Sequence, residues 1–149
     1  MFSCYIQLLF LAHLAIVALR GNRVSIRLSE EEFEELVDEA LDSLPEQFLP
    51  YMENVSVEVQ PLPTRELMQE MNIRGRRTLL GLYHGVPLTN KSVSAPFDWP
   101  EQIFIFQRNI EAICETPEEV VEQVRQTVLH EVGHHFGMDE DDLRKLGYG

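Results

Sequence analysis

Hydrophobic positions along this chain change period several times, and each change marks an element. Phe33, Leu36, Val37, Ala40, Leu41 and Leu44 recur at intervals of three and four, which gathers them on one face of an α-helix. Ser29 followed by Glu32 is a capping box that starts this helix, and Pro45 stops it. The period then falls to two. Val55, Val57 and Val59 alternate with polar residues, predicting a half-buried strand that ends at Pro61. Leu67, Met68 and Met71 suit a short helix. Residues 78–84 and 102–107 are rich in branched and aromatic side chains and predict two further strands. Between them runs the loop GVPLTNKSVSAPFDWP, punctuated by Pro87, Pro96 and Pro100.

The helical period returns in the best-marked element. Thr116 is an N-cap, Pro117 occupies the first helical position, and Glu119 is placed to close a second capping box. Val120, Val121, Val124, Val128 and Val132 fall on one arc at about 100° per residue. This helix is expected to reach Phe136, with Gly137 as the left-handed residue that ends it. The order helix, strand, helix, strands, helix predicts an α+β class.

Residues 1–23 differ from the rest. MFSCYIQLLFLAHLAIVAL is almost wholly apolar and RGNR follows it. Three readings apply: a start placed upstream of the true one at Val24, a membrane anchor through residues 1–19, or a signal peptide. As an anchor, Arg20, Arg23 and Arg27 would hold its C-terminal side in the cytoplasm. As a signal it lacks a positive leading region and a clear small-residue cleavage site. Residues 24–149 are expected to form one domain, cytoplasmic, or membrane-anchored through residues 1–19.

Of the 149 residues, 44% are hydrophobic and 25% charged, so a single modest core is affordable in surface terms. The formal charge of −13 repels phosphate backbones and argues against nucleic acid as a partner. Cys4 and Cys114 are distant and sit in no CxxC, so two thiols in a reducing compartment are expected.

The chemistry lies in HEVGHHFGMDE, residues 130–140. His130 and His134 are one helical turn apart and continue a stripe with Gln123 and Thr127, so both imidazoles can reach one ion. Glu131 lies between that stripe and the valine arc, where a carboxylate can act as base without ligating. Zinc at such a pair lowers the pKa of a water and polarises a carbonyl, while the carboxylate takes the proton. His135 falls on the valine arc and is expected to be a buried, hydrogen-bonded core residue. His84 and His13 have no motif around them, and Trp99 reads as a packing anchor.

Over HEVGHHFGMDEDDLRKLG the chain resembles the minimal zincins, small bacterial zinc metallopeptidases whose signature is similar to HExxHHFGxxD. LLGLYHGVPL, PEQIFIFQRNIE and TPEEVVEQVRQTVLHE fit the same family, and the likeness covers residues 24–149. It implies a compact zincin-like fold, one zinc ion and cleavage of a peptide or protein substrate. By similarity, residues 78–84 would be the sheet edge that takes the substrate as an added strand. The chain also resembles the metzincins through HExxHxxGxx and then departs. Glu140 stands at their eleventh position, where they have histidine, and too few residues follow for their methionine turn. Glu140 is therefore the expected third ligand, with Asp139 and Asp141 as alternatives. Tyr148, Tyr83 and His84 are candidates for stabilising an oxyanion. Two other functions compete: a non-catalytic module stabilised by its metal, and a metal-dependent ribonuclease suggested by the spacing of positions 130, 134 and 140. Glu131 and the negative charge count against the ribonuclease.

Overall fold

The computed structural model describes residues 24–85 and 101–145. In chain order it contains helix α1 (Glu30–Asp42), a 3-10 turn (Glu46–Phe48) running into α2 (Leu49–Met52), strand β1 (Val55–Gln60), α3 (Arg65–Glu70), β2 (Gly81–His84), β3 (Glu101–Phe106), α4 (Gln107–Glu111), α5 (Pro117–His135) and α6 (Glu140–Lys145). The strands form one sheet in the order β1-β3-β2. Central β3 runs parallel to β1, with Val55 opposite Glu101, and antiparallel to β2, with Gly81 opposite Ile105.

Strand alternation divides the core into two layers. On one face Ile103 and Ile105, both fully buried, meet Phe33, Val37 and Ala40 of α1 and Val120, Val124, Val128 and Val132 of α5. On the other face Phe106 and Leu82 pack with Leu67 and Met68 of α3. The α+β expectation holds, and the valine arc is the surface that seats α5 on the sheet. Among the described residues no helix is long and apolar enough to cross a membrane. The readings of residues 1–23, with Cys4 and His13, and of the segment 86–100, with Trp99, lie outside the described residues.

The caps show how local chemistry fixes helix ends. Ser29 Oγ accepts from the Glu32 amide at 3.2 Å, and the Glu32 carboxylate accepts from the Ser29 amide at 2.8 Å. At α5 only half of the expected box forms. Thr116 Oγ1 accepts from the Glu119 amide at 3.3 Å, but the Glu119 carboxylate reaches past Thr116 to the amide of Glu115 at 2.8 Å. The helix ends at His135, one residue earlier than expected, with Phe136 as its cap. Gly137 has φ +83°, and two bonds close the end: Gly137 N–H to His134 carbonyl at 3.1 Å and Met138 N–H to Gly133 carbonyl at 2.9 Å. This paired arrangement satisfies the last carbonyls of the histidine-bearing turn.

Both later strands are displaced from their sequence expectation. Residues 78–80 are not strand. The Thr78 amide and hydroxyl both donate to the Gly75 carbonyl, at 3.0 and 2.7 Å, and so make a turn before β2 begins at Gly81. β3 starts at Glu101, and Gln107 leaves it to begin α4. Three polar residues of α4, Gln107, Asn109 and Glu111, are buried. Asn109 Nδ2 donates to the carbonyls of Arg76 and Leu79 at 2.9 and 2.6 Å and so fastens the approach to β2.

Glu111 ties the segment before α1 to the domain. Its carboxylate accepts from Arg108 at 2.8 Å, Gln107 at 2.9 Å, and Arg27 and the Leu28 amide at 3.2 Å each. Burial pushes this carboxyl up, but the donors outweigh it and hold it below the ordinary carboxylate range. Glu111→Ala is expected to cost about 2–4 kcal/mol, because Gln107 and the Leu28 amide lose their acceptor while both arginines can turn to solvent. Urea melts at neutral pH measure this. The depressed carboxyl contributes stability above its unfolded pKa and loses it as pH falls through the folded value, so the wild-type advantage should shrink in acid.

Candidate metal centre

The last two turns of α5 bring the chemistry together. His130 Nε2 and His134 Nε2 are 3.0 Å apart, with ring centroids at 4.4 Å and planes at 80°. Two tetrahedral zinc ligands at about 2.0–2.1 Å from the ion lie roughly 3.3 Å from each other, so the pair converges on a single ion's position to within a few tenths of an ångström. Helical spacing alone produces this, since residues four apart face the same way.

Glu131 stands beside the pair. Its Oε2 accepts from the backbone N–H of Tyr83 at 3.0 Å. Burial pushes the carboxyl up to about 7, with the Tyr83 N–H pulling in the other direction. Tyr83 lies on β2, the sheet edge nearest α5, and its amide points away from β3 toward the helix.

That approach depends on Gly81. A Cβ there would lie 2.6 Å from Thr127 Cγ2 and 3.0 Å from the Phe104 carbonyl oxygen. Thr127 is held in turn, its hydroxyl donating to the Gln123 carbonyl at 2.8 Å. Alanine ordinarily favours a strand over glycine by about 0.5–1 kcal/mol. Here overpacking reverses the sign, and Gly81→Ala is expected to destabilise by about 1–3 kcal/mol. Thr127→Ser removes the opposing methyl and should recover most of the loss in the double variant. Additive costs in a urea-melt cycle would show that the contact is not the cause.

His135, expected to be a buried, hydrogen-bonded core residue, is half-buried and stands outside the core cluster, with its side chain 7% exposed. Its ring stacks on Tyr83 at 3.9 Å and 16°, and its Nε2 lies 3.8 Å from Glu101 Oε1. Burial first, and then the neighbouring Glu101 carboxylate, raise the Tyr83 phenol above its ordinary pKa. His84 occupies the opposite face of β2, its ring 6.0 Å from that of Phe104, and does not join the histidine pair.

Among the described residues no group of three His, Cys, Asp or Glu side chains closes around one point. Glu140, the expected third ligand, opens α6, but its side chain lies outside the described residues, as does Tyr148. The aspartates around it are engaged within α6. Asp139 Oδ1 accepts from the Asp142 amide at 2.9 Å and Asp142 Oδ2 accepts from the Asp139 amide at 3.3 Å, forming an all-aspartate capping box. The Asp142 amide holds the Asp139 carboxyl below its usual range. Asp141 pairs with Arg144 at 2.8 Å. α6 is seated by Leu143, fully buried against Gly133, where a Cβ would come within 2.5 Å of Leu143 Cδ2.

Sequence reasoning expected the two histidines to face one point with Glu131 beside them, and the helix places them so. That reasoning missed the Tyr83 amide, Glu101 and the small residues at 81 and 133. The spacing rule for HExxH could have hinted only at position 133, because a backbone donor carries no side-chain signature.

A search of curated proteins found no match. A family model described as zincin-like metallopeptidase matches residues 52–149, which span the sheet, the paired histidines and α6. With that match over most of its length, the chain belongs to the zincin-like metallopeptidase family.

Proposed function

We propose that this protein is a zinc-dependent peptidase in which His130, His134 and Glu140 hold the ion and Glu131 is the general base. The observation that carries the reading is the convergence of two imidazole nitrogens to 3.0 Å beside a half-buried carboxylate held by the Tyr83 N–H. Zinc bound there would supply Lewis-acid polarisation of the scissile carbonyl and a more acidic water. The chain's own residues do the rest. Glu131 Oε2 is occupied by the Tyr83 N–H, which leaves Oε1 to take a proton from the attacking water. The same carboxyl then returns that proton to the departing amine nitrogen. The substrate is a peptide or protein, laid extended beside β2 as the family resemblance implies. A chain of charge −13 does not favour nucleic acid.

Cleavage of a mixed peptide library tests the reading. The protein should cut peptide bonds, lose the activity to a chelator and regain it with zinc. Tight zinc binding without any cleavage would instead identify a metal-stabilised binding module.

A further inference from the structure

We propose that His135 is a positioning residue, clamping Tyr83 so that the edge strand presents its amide to Glu131. The consequence for catalysis rests on the peptidase reading above; the contact itself does not.

Glu131 and His135 are one turn apart on α5, so both side chains face β2. The His135 ring lies flat on that of Tyr83, at 3.9 Å and 16°. Glu101, from the start of β3, brings its carboxylate within 3.8 Å of the His135 nitrogen. Tyr83 pairs with Ile103, so Glu101 sits diagonally from it on the same face of the sheet. Three elements thus meet in one packet whose polar members are nearly sealed, with side chains 7% and 13% exposed for His135 and Glu101. Gly85 closes it: a Cβ there would stand 2.9 Å from Tyr83 Cε1 and 3.4 Å from Glu101 Cγ.

The packet anchors one end of β2 to α5, and the contact of Gly81 with Thr127 anchors the other. The Tyr83 amide lies between these two fixed points. Its bond to Glu131 is 3.0 Å long, so a lift of the strand by 1 Å would take it out of hydrogen-bonding range. A carboxylate released in this way would change its orientation at the reacting water, and small misplacements of catalytic groups are costly in rate. A flat ring at position 135 suits the clamp, because a stacked face resists tilting of the strand in a way that a branched aliphatic side chain cannot.

The test follows hydrogen exchange of the Tyr83 amide in the metal-free full-length chain. Glu131→Ala sets the rate when the acceptor is gone. His135→Leu keeps bulk but loses the flat face; it should speed exchange at Tyr83 by at least about tenfold while the Val37 amide in α1 is unchanged. His135→Phe restores the face and should return the rate to within about threefold of wild type. With zinc and the peptide library, His135→Leu should lower kcat at unchanged KM. Equal Tyr83 exchange in wild type and His135→Leu would overturn the proposal, as would failure of His135→Phe to rescue. If the exchange results hold while the wild type cleaves no peptide, the clamp stands and the peptidase reading falls.

Discussion

Glu131→Gln is expected to abolish hydrolysis, leave zinc bound and make the metal-free protein more stable at alkaline pH. Glutamine can still accept the Tyr83 N–H, so β2 keeps its partner. It cannot take a proton from water, and loss of a positioned base typically costs about 10²- to 10⁴-fold in rate. The stability effect has the opposite sign. In the folded chain the Glu131 carboxyl is pushed up to about 7 from 4.5. A raised carboxyl leaves stability intact below the unfolded pKa and removes it as pH climbs through the folded value, by up to about 3 kcal/mol for such a shift. Wild type should therefore weaken between pH 4.5 and 8, whereas Glu131→Gln should not weaken through this group. Peptide cleavage by Glu131→Gln at the wild-type rate would end the general-base assignment. Parallel stability curves for the two proteins would remove the buried ionisation.

Glu140→Ala carries the second large effect, on metal affinity. Structural zinc sites with four protein ligands gain roughly 10–16 kcal/mol, so removing one of three ligands should cost about 3–5 kcal/mol, or roughly two to four decades of affinity. Asp139 and Asp142 cap α6 and Asp141 pairs with Arg144, so these carboxylates already have work at the helix terminus. Asp139→Ala should cost about 1 kcal/mol of stability through its lost cap, with zinc affinity close to wild type. Asp141→Ala should change neither much. Chelator competition at fixed pH separates the cases: a wild-type affinity for Glu140→Ala, with a large loss in either aspartate variant, would move the ligand to another residue of the turn.

What the sequence made legible follows a physical divide. Elements whose ends are set by neighbouring residues were readable: the box of Ser29 and Glu32, the cap at Thr116, the stop at Gly137. HExxH was readable because a helix turns spacing directly into geometry. α4 was not. Of its four buried positions only Ile110 is apolar; Gln107, Asn109 and Glu111 bond to segments tens of residues away, so the helix has no apolar stripe to betray it. The early end of β3 follows from the same residues. Thr78 looked like strand by composition, yet its hydroxyl found a local carbonyl first. The acidic run beyond Gly137 read as a store of possible ligands, when the spacing from Asp139 to Asp142 is itself a capping signal. The bond of Glu131 to Tyr83 was beyond sequence reach, because its donor is a backbone group placed by the close contact at Gly81.

The link from Leu28 to Glu111 joins residues 83 positions apart. The parallel pairing of β1 with β3 also waits on distant residues. During synthesis, α1 and β1 emerge long before the strand and helix that will cover them, with Phe33, Val37 and the alternating valines of β1 exposed. Non-local pairings of this kind close slowly and leave apolar surface open to aggregation meanwhile. The first-made third of this domain is thus its most vulnerable part on the ribosome, and a holdase chaperone would find its grip there rather than on the histidine-bearing helix.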